Sequence, residues 1–177
     1  MNERGIWTLE SEYKTHVFDQ SLCDEIISLF GLQNIVDIGA GNCAYTKYFN
    51  SHGIHCTGYD GAEFTPSPCK ILDFTEPVDI GEFDLVLCLE VGEHIPKEYE
   101  QIFIDNLCNA SREWLILSWA IPGQSGDGHV NCRKNFYVIN EMQKRGMWYN
   151  AGLTRRLRES ASVSWFKNTL MTFEWSR

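Results

Sequence analysis

The apolar positions of the chain change period along its length. Leu22, Ile26, Ile27 and Phe30 recur at helical spacing, so Asp19 to Phe30 reads as an amphipathic helix that Gly31 stops. Asn34 to Ile38 reads as a short buried strand closed by Gly39-Ala40-Gly41. Asn42 to Phe49, with Tyr45, Tyr48 and Phe49 apolar, reads as a second helix ending near Gly53. Ile54 to Tyr59 and Lys70 to Leu72 read as strands, separated by an open loop around Pro66 and Pro68. Phe83 to Leu89 is the clearest buried strand. Pro96 suits the first turn of a helix whose Tyr99, Ile102, Phe103 and Leu107 share one face. Glu113 to Ala120 is a fifth strand, and the glycine-rich segment Pro122 to Gly128 reads as a mobile loop. Asn135 to Arg145 is a helix stopped by Gly146. A strand at Met147 to Asn150, a basic helix around Thr154 to Glu159 and a strand at Thr169 to Trp175 complete the chain.

Strands alternating with helices predict an α/β fold with a doubly wound, mostly parallel sheet and helices on both faces. The last two strands lack a long helical crossover, so antiparallel pairing at one edge is expected. There is no repeat or linker, and 177 residues suit a single domain over 1–177.

Composition narrows the function. Against 15 basic residues stand 24 acidic ones, a net charge of −9 with histidine neutral. So acidic a surface disfavours binding to nucleic-acid backbones or anionic membranes. The longest apolar run, Leu85 to Leu89, is far short of the roughly 20 residues that span a bilayer. The first residues, Met1-Asn2-Glu3-Arg4, lack the apolar core of a signal peptide, and a cytoplasmic location is expected. The seven cysteines are widely spaced and include no Cys-x-x-Cys pair, which predicts buried free thiols in a reducing compartment.

The glycine loop follows a strand and opens a helix, the setting in which glycines let a ligand approach the backbone and the free N–H groups of a helix start. Two ligand classes compete. Gly39-x-Gly41-x-x-Ala44, with Asp60 about twenty residues on, fits a dinucleotide fingerprint and an NAD-dependent oxidoreductase. Asp37-x-Gly39-x-Gly41 resembles the first motif of class I S-adenosylmethionine-dependent methyltransferases, with Cys43 in place of that family's usual third glycine. Three features favour the second reading. Asp37 suits a cationic amino group and repels a pyrophosphate, a helix precedes the first strand, and the chain leaves no length for a separate substrate domain.

The resemblance covers nearly the whole chain. It implies a Rossmann-like seven-stranded sheet with an antiparallel C-terminal strand. The cofactor-binding half is 34–120, preceded by an arm and first helix at 1–33 and followed by a substrate loop and C-terminal strands at 121–177. Gly58-Tyr59-Asp60-Gly61 looks like the second motif, in which Asp60 accepts both ribose hydroxyls and Gly61 adjoins it. Leu72-Asp73-Phe74 looks like the third, with Asp73 at the adenine amino group and Phe74 against the ring. The strand ending at Leu89-Glu90 is similar to the fourth motif and implies contact with the methionine end of the cofactor. Gly39, Ala40 and Gly41 complete the expected cofactor contacts, and a similar N-terminal stretch in small relatives implies that Tyr13 and His16 fold over it.

For the chemistry, His129 and His94 are candidate general bases; each also has a structural reading, as a loop-stabilising or helix-start residue. Asn131, Trp165 and Lys167 are candidate substrate contacts. His52 and His55 make no convincing metal site, and no metal is expected; Asp127 and His129 alone leave a magnesium site open. Arg155, Arg156 and Arg158 read first as a charged helix face. The resemblance implies S-adenosylmethionine as cofactor, S-adenosylhomocysteine as product, and O-methylation of a sugar, glycan or small-molecule hydroxyl. An inactive cofactor-binding partner and a protein-residue methyltransferase are the rival readings.

Overall fold

The computed structural model describes residues 1–10 and 16–175. Seven strands form one sheet: β1 Asn34–Ile38, β2 His55–Asp60, β3 Lys70–Ile71, β4 Phe83–Leu89, β5 Ser111–Ser118, β6 Met147–Tyr149 and β7 Met171–Trp175. Their order across the sheet is β3-β2-β1-β4-β5-β7-β6. The first five strands run parallel, and β7 pairs antiparallel with both β5 and β6. The doubly wound sheet with an antiparallel C-terminal strand is therefore as expected.

The helices are α1 Gln20–Leu29, α2 Ala44–Ser51, α3 Glu100–Ala110, α4 Asn135–Lys144, α5 Ala151–Ser160 and the single turn α6 Phe166–Thr169. Alternation along each strand sorts the core into two layers. Val36, Val86, Cys88, Leu115 and Leu117 face α3 and α4, packing with Phe103, Leu107, Val138 and Met142. Ile35, Leu85, Leu87 and Ile116 face the other way, onto Leu22, Ile26, Phe49 and Leu157. Both layers are shielded from water, which fixes each strand's register, since a one-residue slip exchanges its faces.

Local chemistry sets the element ends. The Asp19 carboxylate caps α1 by accepting from the Leu22 N–H at 3.0 Å. It also accepts from the N–H groups of Ser162 and Val163, both at 2.8 Å, tying α1 to the segment after α5. The Asp84 carboxylate accepts from the N–H groups of Gln33 and Asn34, both at 3.0 Å, and so aligns the start of β1 with β4.

Three expectations are corrected. Pro96 lies ahead of α3, in a turn closed by i→i+3 bonds such as Tyr99 N–H to Pro96 C=O, 2.9 Å. The Thr169 start expected for the last strand belongs to α6, and β7 begins at Met171. Cys43 and Cys69 form a disulfide, where free thiols were expected, because the glycine loop and the loop before β3 cross there; Cys23, Cys56, Cys88, Cys108 and Cys132 are free. No helix among the described residues is long and apolar enough to cross a membrane.

Candidate active site

A cavity of about 600 Å³ opens at the carboxyl ends of β1, β2 and β4. Ligands bind at this edge of open α/β sheets, where the strand order reverses; here β1 lies between β2 and β4. The glycine loop forms its floor. Gly39 and Gly41 have φ of +76° and +52°, the left-handed region that glycine occupies readily. A β-carbon at Gly39 would fall 2.2 Å from Val91 Cγ2, and one at Gly41 would fall 2.1 Å from His16 Nδ1. Cys43, where the resembled family has its third glycine, also has a positive φ, +62°. The position thus keeps the backbone shape a glycine would take.

Two carboxylates meet this loop. Asp60, at the end of β2, accepts from the Gly41 N–H at 2.9 Å and, with its other oxygen, from the Ala62 N–H at 3.0 Å. Asp37, on β1, is buried and accepts from Thr46 Oγ1 at 2.7 Å. Burial lifts its pKa to about 6, against the opposing Thr46 hydrogen bonds. Asp37, Gly39, Ala40, Asp60, Gly61, Phe74, Leu89, Glu90 and His16 all line the cavity. Burial holds the His16 imidazole below its usual pKa.

The polar end of the cavity is built by the turn after β4 and the loop after β5. Glu90 has φ +54°, a strained conformation of a kind concentrated at functional sites. Its N–H donates to Ser118 Oγ at 2.8 Å, and its carboxylate accepts from Gln124 Nε2 at 2.6 Å. Burial raises the Glu90 pKa. Glu93 is fully buried, and burial together with the neighbouring Glu90 carboxylate drives its pKa well above the usual range. The His94 and His129 rings meet edge to face at 5.1 Å, and Trp7 packs edge-on to His94 at 5.2 Å. Burial lowers the His94 pKa to about 4, leaving the ring neutral at physiological pH.

The segment that follows Gly128 is anchored. The Val130 and Asn131 N–H groups both donate to the Glu93 carbonyl at 2.9 Å, and Trp119 Nε1 donates to the Asn131 carbonyl at 2.7 Å. His94 and His129 therefore face one another across two anchored segments. Gly5, Ile6 and Trp7 of the N-terminal segment line the cavity. Arg4 bonds Asp73 at 3.0 Å and Glu76 at 2.5 Å, and Ile6 sits against Gly61.

Three expected contacts lie elsewhere. Asp73 does not line the cavity; it accepts from Thr75 and Arg4 and so anchors the N-terminal segment. Asn131 is buried and donates to Glu100 at 2.8 Å, a structural role. Lys167 lines a separate depression of about 520 Å³ with Arg155 and Arg158. Trp165 does line the main cavity, whereas Tyr13 lies outside the described residues. The cavity lining also includes Trp7 and Gln124, which carry no local motif in the sequence, while Glu93, next to His94 in the sequence, lies buried behind the lining.

This topology and this edge are those of the class I S-adenosylmethionine-dependent methyltransferase fold. No protein-family model matches the chain, and no curated protein matches it in sequence. Among solved structures it is similar to the magnesium protoporphyrin IX methyltransferase ChlM of Synechocystis PCC 6803 with bound SAH, with TM-score 0.66 and 18% identity over 94% of this chain and 83% of that one. It is also similar to the N-methyltransferase NodS of Bradyrhizobium japonicum WM9 in complex with S-adenosyl-L-homocysteine, with TM-score 0.63 and 15% identity over 95% and 87%. The [4+2]-cyclase SpnF shares the fold at TM-score 0.60 and 12% identity over 87% of this chain and 79% of that one. One fold thus serves different chemistries, and function has to be argued from the site.

Proposed function

We propose that the chain is an S-adenosylmethionine-dependent methyltransferase that methylates a hydroxyl of a sugar, glycan or other small molecule. The observation that carries this reading is one continuous cavity, with Asp37 and Asp60 at the glycine loop and His94 and His129 at its other end. The neighbours that hold S-adenosylhomocysteine on the same fold support the choice of cofactor.

In this reading Asp60 accepts the ribose hydroxyls, Phe74 flanks the adenine, and Asp37 and Glu90 face the cationic methionine end. The acceptor lies between the histidines and Trp165. Its hydroxyl oxygen attacks the methyl carbon in line with the C–S bond. The bonding pair leaves with sulfur, giving S-adenosylhomocysteine, and the hydroxyl proton passes to a base. Both rings turn Nδ1 to a backbone carbonyl at 3.2 Å, His94 to Gly128 and His129 to Gln124, which leaves each Nε2 as acceptor, and burial makes His94 the weaker base of the two. Holding both reactants in line contributes on the order of 7–11 kcal/mol, and a base adds about 10²–10⁴-fold.

The test is calorimetric titration with S-adenosylhomocysteine and with NAD. Binding of the first alone is expected, and Asp60→Ala should weaken it by about 10–100-fold, the worth of hydrogen bonds to a charged group. Wild-type affinity in that variant contradicts the cofactor assignment. A panel of sugars and small hydroxyl compounds then reports turnover. Full activity in both His94→Ala and His129→Ala would remove histidine from the chemistry.

A further inference from the structure

We propose that Glu93, His94 and His129 bind one divalent first-row metal ion at the acceptor end of the cavity. One ligand atom from each residue lies within 4.8 Å of the others, and His129 Nε2 is 3.9 Å from Glu93 Oε1. Ligands about 2.1 Å from a shared ion sit roughly 3.0–3.4 Å apart, so the pairs need to close by about 0.5 to 1.8 Å.

Two further observations point to a cation. Glu93 is 0% exposed, and neither of its carboxylate oxygens makes a hydrogen bond of standard distance and angle among the described residues; only the looser approaches of the Glu93 and Ala120 amides and of the Glu90 carboxyl face it. Burying a carboxylate without partners is costly, and such groups in proteins are normally paired or coordinate a metal. The second is the orientation of both rings. His94 Nδ1 faces the Gly128 carbonyl and His129 Nδ1 faces the Gln124 carbonyl, each at 3.2 Å. A backbone carbonyl on one ring nitrogen fixes the tautomer and leaves the other nitrogen's lone pair for a metal, the arrangement that supports metal-binding histidines generally. Two imidazoles with one carboxylate leave coordination positions open. They suit Mn²⁺, Co²⁺ or Zn²⁺ better than Ca²⁺, which takes six to eight oxygens. The Glu90 carboxylate lies next to this set and adds negative charge.

For its role, though not for its existence, the site rests on the methyltransferase reading. An ion here faces the acceptor and serves as a Lewis acid toward an acceptor oxygen. His129 then holds the ion, and the acceptor hydroxyl, made more acidic by the ion, gives its proton to solvent water instead of to His129.

The whole chain, freed of metal with EDTA, is titrated with Co²⁺ and followed by visible absorption, alongside calorimetry with S-adenosylhomocysteine. One Co²⁺ per chain is expected. Glu93→Gln and His129→Gln should each weaken binding at least about tenfold. His52→Gln, which removes an exposed histidine outside the cavity, should not. No binding by the wild type, or equal binding in both site variants, overturns the metal site. S-adenosylhomocysteine binding without Co²⁺ binding rejects the metal and keeps the methyltransferase. Co²⁺ binding without S-adenosylhomocysteine binding keeps the metal site and rejects the methyltransferase.

Discussion

Asp37 shows how the proposed cofactor site couples to the stability of the fold through one residue. Its pKa is about 6 in the folded chain against 3.8 as a free side chain, because burial disfavours the charged form. The folded state therefore holds the proton more tightly. The resulting stability is complete below about pH 4 and is lost as pH rises through about 6. The difference corresponds to roughly 3 kcal/mol. Asp37→Asn, which cannot ionise, should remove this dependence and make the ligand-free chain more stable than wild type at pH 8. Urea denaturation at pH 5 and pH 8 measures it, and an unchanged pH slope in the variant contradicts the argument. The cationic amino group of S-adenosylmethionine prefers the carboxylate, so its affinity should rise with pH across the same window.

At the scale of elements, the site depends on contacts that join distant segments. Gly92 lies between the two acidic residues of the β4 turn, and a β-carbon there would fall 2.3 Å from the Trp119 ring. Trp119 is 1% exposed and holds the His129 loop through the Asn131 carbonyl. Gly92→Ala should thus cost about 1–3 kcal/mol by overpacking and speed hydrogen exchange at the Val130 and Asn131 amides. Gly31→Ala, whose β-carbon meets nothing within 4 Å, is the matched control and should leave both unchanged. Asp19→Ala should cost about 2–4 kcal/mol in urea denaturation, since it strips the α1 cap and leaves the Ser162 and Val163 amides without their acceptor.

The same contacts explain what the sequence made legible. Strands β1 and β4 were readable to the residue, because each is a short, mostly apolar segment, interrupted after its first residue only by Asp37 in β1 and by Asp84 in β4, and bounded by turn formers. The glycine loop and Asp60 were readable because their chemistry is local in sequence. Asp73 and Asn131 were misread because the groups that claim them, Arg4 and Glu100, lie 69 and 31 residues away. The Cys43–Cys69 pairing, separated by 26 residues, likewise depends on where two loops cross. The single turn α6 is too short for a helical period to show.

For the whole molecule, the question is which part of its acidity the ligand feels. The net charge of −9 is spread over a surface whose field decays within a Debye length, about 8 Å at physiological salt. The cavity is different, since Asp37, Asp60 and Glu90 gather at one sheltered edge, where screening is weak, with Glu93 held neutral by burial behind them. S-adenosylmethionine differs from S-adenosylhomocysteine by a methyl group and the positive charge on sulfur. If only the diffuse surface charge acted, the preference for the sulfonium would be small at low salt and absent at high salt. A clustered set instead makes the preference larger and less salt-sensitive. S-adenosylmethionine is therefore expected to bind about 5–10-fold more tightly than its product at low salt, and to keep most of that advantage when salt is raised tenfold. Calorimetry of both ligands at 0.05 and 0.5 M salt checks this (concentrations about one Debye-length regime apart). Equal affinities at low salt would mean that the carboxylates face away from the sulfur. A preference that vanishes at high salt would assign it to the surface. In the proposed reaction the expected pattern ties the acidic cluster to product release, because methyl transfer would remove the charge that holds the cofactor.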